Sequence, residues 1–359
     1  MTATSVWLSV IGAAAILASG VFFTVVQNRL VGRSSRGLWS GVAVIAAIGA
    51  AVGLVLVVLR PPGVAPLFTA PIAALGAFFA VVVTSPARRA SARSLPVLVF
   101  AALATLFVAL PALATVFGTW FDPFGTGLGF IDLGAALPAL VAAGGGGVAV
   151  LWIERPAEAR VAAPVAAPLE SWWRVLWPTL AMWAAWLGWL VGLELAIDSH
   201  TPVILLNAIL MPLAGALAGA LVERVRDRAN TPLGLVTGVV GGLAAATPAC
   251  ANLEPALGVV VAALSGAVCL LLPRRGSATL LPTLGVGGGI GLVLVGGLAT
   301  DVSFIYTGQP EVLMGQALAV IAAAAWSFAA CAILWALLRR IGKSRAPETQ
   351  RGEAGGRQA

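Results

Sequence analysis

Apolar runs long enough to cross a bilayer recur along the whole chain. They lie near residues 5–26, 38–59, 66–85, 95–117, 132–153, 172–197, 202–222, 232–249, 255–272, 281–300 and 313–338. A spanning helix needs about 20 predominantly apolar residues, and each run has that length. Inside a bilayer every backbone N–H and C=O must be satisfied within the segment. The sequence therefore predicts an all-α polytopic membrane protein with eleven transmembrane helices. Composition agrees: of 359 residues 10% are charged, and the mean hydropathy is +1.01, too little charge to cover a soluble domain. No Lys or Arg precedes the first run, so it reads as a span, not as a removed signal. Cys250, Cys269 and Cys331 have no C-x-x-C spacing and read as small hydrophobes, with no metal or disulfide.

The basic residues fix an orientation. Arg29, Arg33 and Arg36 follow span 1; Arg88, Arg89 and Arg93 follow span 3; Arg155, Arg160 and Arg174 surround the connection from span 5 to span 6. Arg224, Arg226 and Arg228 follow span 7, Arg274 and Arg275 follow span 9, and the remaining six follow span 11. If the spans alternate, 20 of the 21 Lys and Arg share one side and Arg60 alone lies on the other. Lys and Arg are retained on the cytoplasmic side during insertion, which predicts a plasma-membrane protein with its N-terminus outside and its C-terminus inside. The same placement accounts for the pI near 10.8 without nucleic acid. Opposite loops carry Asp122, His200, Glu254, Asp301 and Glu311, read as solvated residues on a mildly acidic outer face.

Two stretches repeat. "LPALVAAGGGG" from Leu137 and "LPTLGVGGGIG" from Leu281 superpose at an offset of 144, matching Leu140 with Leu284, Gly144 with Gly288 and Gly147 with Gly291. Five spans separate the copies, so they cross in opposite directions, the mark of an inverted repeat with its path between the halves. This divides the chain into a first half (1–154), a cytoplasmic linker (155–171), a second half (172–300), a peripheral last span (313–340) and a polar tail (341–359). Leucine and glycines at i, i+4 and i+7 share one helical face, which reads as pore-lining. A tight helix crossing with no transport role uses the same face, and spacing leaves both readings open.

Several segments, in order, resemble the ammonium transporter (Amt/Mep/Rh) superfamily. "ATPACANLEPALG" from Ala246 is similar to its TPACG signature, "FIDLGAALPALVAAGGGG" from Phe130 to DFAGGxVVHxxAG, and "LGVGGGIGLVLVGGLA" from Leu284 to HGVGGxxGxxxxGxxA. "AWLGWLVGL" from Ala185 stands where the family has GWFGFNAGS, and "LFTAPIAAL" where it has xFQGMFAAL. The resemblance implies eleven helices in two inverted halves, assembly as a homotrimer or as a mixed trimer with a paralogue, no cofactor, and passage of ammonium or ammonia. It also implies site positions. The two pore histidines fall on Leu140 and Leu284, the cage tryptophan on Phe117, the two gating phenylalanines on Ile72 and Trp189, and the cation-accepting serine on Leu193. The acid that opens the first signature is kept as Asp132.

Leucine neither accepts nor donates a proton, so the family's imidazole relay cannot run here. A bare ammonium ion at an apolar constriction meets a barrier that a neutral molecule does not. Glu194, beside Leu193, reads either as a recruiting carboxylate or as a side chain reaching the interface. Asp132 reads either as a cap on the helix of span 5 or as a long-range stabiliser of a cation. The glycine runs lie in spans, not between a strand and a helix, so they are not phosphate loops, and no enzyme motif stands out. The functions left are a channel for ammonium or ammonia without the twin histidines, a channel for another neutral molecule such as carbon dioxide, or a non-conducting sensor or modifier subunit.

Overall fold

The computed structural model describes residues 2–32, 39–59, 65–90, 94–118, 123–124, 130–154, 169–273 and 277–344. Arg33, Arg36, Arg60, Arg93, Asp122, Arg155, Arg160, Arg274, Arg275, Arg345, Arg351 and Arg357 lie outside them, as do 155–168 of the linker and 345–359 of the tail.

The long helices are α1 (Ala3–Leu30), α2 (Trp39–Leu59), α3 (Pro66–Val83), α4 (Leu95–Phe117), α5 (Leu137–Glu154) and α6 (Leu169–Glu194). They continue with α7 (Thr201–Asp227), α8 (Pro232–Ala249), α9 (Pro255–Leu271), α10 (Leu280–Leu298) and α11 (Glu311–Ser344). Short helices Ser85–Ala90 and Phe304–Thr307 sit between them. Ten of the long helices are apolar and long enough to cross a membrane, and α9 is apolar but 17 residues long. The expected span 5 starts late: residues 130–136 form a turn that precedes the helix.

Side chains meet the backbone's needs at helix ends and breaks. Thr231 Oγ1 accepts from Gly234 N at 3.0 Å and Pro232 takes the first helical position of α8, where its missing N–H costs nothing. Mid-helix prolines leave a carbonyl four residues back without its donor. Pro111 does this to Phe107, whose O accepts from Trp326 Nε1 of α11 at 2.8 Å. Pro212 does it to Ala208, whose O accepts from Trp183 Nε1 of α6 at 2.8 Å. Each break is thus turned into an interhelical bond, as a lipid environment demands. Of two π-helical turns, Thr105–Ala109 precedes Pro111 of α4 and Leu137–Ala142 contains Pro138 of α5.

Bonds between helix ends fix the running directions. At one end Ser9 Oγ donates to Leu67 O at 2.6 Å, Gln316 Nε2 to Ile131 O at 2.8 Å, and Thr300 N to Asn252 O at 2.9 Å. At the other, Arg89 bonds Gln27, Arg226 Nη1 donates to Leu270 O at 2.7 Å, and Arg339 Nη1 to Ile153 O at 3.0 Å. These bonds make α1 parallel to α3 and α5 parallel to α11, with Arg89 and Arg339 at the ends opposite Ser9 and Gln316.

Glycines set the closest crossings. A Cβ on Gly144 of α5 would lie 2.7 Å from Gly285 N and 2.8 Å from Leu281 O of α10, so only hydrogen fits there. Its repeat counterpart Gly288 faces Leu140 and Val141 of α5, and Val141 is the counterpart of Gly285 under the same offset of 144. The α5–α10 crossing is therefore approximately symmetric with respect to the duplicated sequence. Gly147 packs on Leu281, whereas Gly291 abuts Ala245 and Pro248 of α8.

Candidate functional site

Leu140 and Leu284 lie on the two helices of the α5–α10 crossing, and both are fully buried. Leu140 packs against Gly288, one turn from Leu284. From Leu137 to Ile153 α5 carries no polar side chain. In α10 the one polar side chain is Thr283, which closes on Thr279 O at 2.8 Å. The four glycines expected on a pore-lining face are each occupied by a neighbouring helix. A cavity of about 690 Å³ lies beside this crossing, lined by Gly144, Gly145, Gly285, Gly289, Val320 and Phe328 among others, but not by Leu140 or Leu284.

An aromatic block stands between α3 and α6. Trp186 and Trp189, one turn apart on α6, stack at 4.8 Å, and Phe78 of α3 packs on them at 6.0 and 5.2 Å. Both indole N–H groups are satisfied: Trp186 Nε1 donates to Thr247 Oγ1 at 3.0 Å and Trp189 Nε1 to Gly134 O at 3.1 Å. Offset aromatic packing with a bonded N–H pins the rings in place. The side chain of α3 that meets Trp189 is thus Phe78, six residues beyond Ile72. Ile72 itself is fully buried. Phe78, Trp186 and Thr247 escaped sequence reasoning. The W-x-x-W spacing on α6 was a legible signal for Trp186, but nothing in one sequence selects Phe78 over its neighbour Phe79.

The turn before α5 ties this block together. Gly134 N donates to Thr247 O at 3.0 Å. The Asp132 carboxylate accepts from Ala136 N at 2.7 Å and Leu137 N at 2.8 Å, meeting free N–H groups where the helix dipole is positive. Ala135 between them takes φ 57°, a left-handed conformation uncommon outside glycine. Replacing Asp132 with Ala leaves two buried donors unmatched, each charge-assisted bond contributing about 1.5–3 kcal/mol. Asp132→Ala is expected to lower stability by about 3 kcal/mol and Asp132→Asn by roughly half as much, read by thermal unfolding in detergent.

The remaining positions lie at the same end of the bundle. Phe117 is 9% exposed and its ring tilts against Phe68 at 4.9 Å. Leu193 is buried, and Glu194 Oε2 accepts from Thr201 Oγ1 at 2.9 Å at the start of α7. His200 is exposed and 3.3 Å from Asp198, whose carboxyl is held below the usual carboxylate range by the His200 backbone N–H. Asn207 Nδ2 donates to Cys250 O and Leu253 O. Among the described residues no group of His, Cys, Asp and Glu is arranged to hold a metal ion.

A family model described as Ammonium Transporter Family matches residues 61–354. The chain is 33% identical over 88 residues to an ammonium transporter of Bacillus subtilis, covering 24% of this chain and 22% of that protein. It is 31% identical over 125 residues to one of Mycobacterium tuberculosis, covering 33% and 26%. The matched segments thus span about a quarter of these relatives. Among solved structures, Saccharomyces cerevisiae Mep2 matches with a TM-score of 0.76 at 20% identity, over 93% of this chain and 85% of that one. A sensor Amt protein matches with a TM-score of 0.79 at 18% identity, over 94% and 93%. At such identities the likeness is one of fold.

Proposed function

Because the chain belongs to the ammonium transporter family, we propose that it forms a membrane channel passing ammonia, or a similarly small uncharged solute, without a proton relay. The observation that carries this reading is the pair of repeat-related leucines, Leu140 and Leu284, fully buried between helices with no titratable side chain along α5 or α10 before Glu154. A neutral molecule crossing there loses a few hydrogen bonds. A cation loses its hydration shell with nothing to replace it.

The path runs between the two halves, 1–154 and 172–300, a division supported by the matched contacts Gly144–Gly285 and Val141–Gly288. It lies beside the Phe78–Trp186–Trp189 block, and Phe117, Leu193 and Glu194 flank its outer entrance. The outward N-terminus and cytoplasmic C-terminus rest on the arginine distribution. Assembly as a homotrimer or mixed trimer rests on membership of the family; the exposed apolar stripe on α7, Leu205, Ile209, Leu213, Leu217, Leu221 and Val225, is a surface for lipid or a second copy.

A second reading, a non-conducting sensor or modifier subunit, is favoured by one observation: Leu140, Leu284, Ile72, Trp186 and Trp189 all show 0% exposure. A solute the size of water needs these side chains to move first. Stopped-flow measurement of internal pH in proteoliposomes given an ammonia gradient separates the two. Alkalinisation faster than in protein-free liposomes is the expected result; identical rates favour the non-conducting reading.

A further inference from the structure

The arginine-bearing end of the bundle holds a group of donors, and on Gln27, Ser85 and Arg88 several are buried without an acceptor. Arg89 Nη1 donates to Ser277 Oγ at 2.7 Å and its Nη2 to Gln27 Oε1 at 2.9 Å. It thereby joins the last turn of α1, the short helix after α3 and the segment that enters α10. A guanidinium only donates, so Gln27 must turn its oxygen to Arg89 and its amide Nε2 elsewhere. That Nε2 has no partner, and Gln27 is 0% exposed. Ser85 and Arg88 precede Arg89 on the helix Ser85–Ala90, at spacings of four and one; Ser85 shares a face with both arginines. Ser85 Oγ, Arg88 Nε and Arg88 Nη1 are likewise buried and unpartnered, while Arg88 Nη2 donates to Val81 O at 2.9 Å.

The character of the cluster is one-sided. Its unmatched nitrogens are all donors, the hydroxyl can donate too, and two arginines are consecutive on one short helix. No carboxylate pairs with Arg88 among the described residues, and burial together with Arg89 lowers the Arg88 pKa to about 10. A buried unpaired cation is strongly unfavourable, and so is each orphaned donor. The same groups become favourable around an anion, since hydrogen bonds to charged acceptors are the strong ones and arginine suits oxyanions in particular.

We infer that Gln27, Ser85, Arg88, Arg89 and Ser277 form an anion site for a phosphate-class oxyanion, carried by a free phosphate or by a lipid headgroup, that ties the end of the first half to the start of α10. The site lies away from the Leu140–Leu284 line, and the inference does not depend on whether the path conducts.

The test uses the full-length protein, delipidated in detergent, with thermal unfolding read by tryptophan fluorescence. Inorganic phosphate, added at constant ionic strength against chloride, is expected to raise the midpoint saturably by roughly 3 °C if the source is soluble. If the source is lipid, nanodiscs containing phosphatidic acid give that rise over phosphatidylcholine alone, and phosphate adds nothing in detergent. In either arm Arg88→Gln abolishes the shift. Gln27→Glu, which supplies a carboxylate beside Arg89 from within, also abolishes it while keeping the protein folded. Absence of a shift with both probes overturns the inference, as does an undiminished shift in Gln27→Glu.

Discussion

Replacing Leu140 and Leu284 together with histidine is expected to raise ammonium-dependent current across a solid-supported membrane by about 100-fold over the native protein. A charged group at the centre of a span costs about 3 kcal/mol on insertion scales, and each 1.4 kcal/mol is tenfold. Imidazole supplies the proton acceptor and donor that leucine lacks. Leu140 lies on Gly288, which presents no side chain to it, and Leu140 and Leu284 are repeat counterparts at one crossing. A single replacement supplies half of a relay and should recover little. Native current equal to that of the double variant would mean that an ionic path runs elsewhere in the molecule.

The second large effect concerns Trp189. Removing its indole with Trp189→Ala discards the stack on Trp186, the contact with Phe78 and the bond to Gly134 O. Truncating a buried tryptophan costs about 3–5 kcal/mol, so the thermal midpoint should fall by several degrees. The space it leaves opens against the turn at Gly134 that leads into α5, so ammonia-driven alkalinisation should accelerate even as stability drops. Trp189→Phe keeps most of the packing and loses only the N–H, and should sit between the two in stability with flux near native. Lower stability without faster flux would place Trp189 outside the path and leave it a purely structural residue.

Different parts of the molecule differed in how openly the sequence declared them. The helical bundle was legible because bilayer thickness sets the length of every apolar run, and α8 falls at residues 232–249 as expected. The family was legible from ordered motifs even though each was degraded, since glycine and proline positions obey backbone constraints that survive changes of side-chain chemistry. The α5–α10 crossing was legible through the offset of 144, because glycines at a close approach cannot be exchanged freely. The start of α5 was not, because an apolar count does not distinguish helix from the capped turn at Asp132–Gly134. Phe78 was missed for a related reason: α3 is apolar on all sides, and hydropathy carries no information about which face meets another helix. The donor cluster around Arg89 was hidden behind a correct use of the same arginines for orientation. A charge count places them at one end of the bundle but says nothing of who bonds them.

The proposed path past the twin leucines is open to neutral molecules and closed to ions. The most direct measurement is ammonium-jump current on proteoliposomes of the native protein, recorded on the same preparation used for stopped-flow pH changes. The expected result is alkalinisation above that of empty liposomes together with current at their level. A current that rises with ammonium concentration and saturates would contradict it.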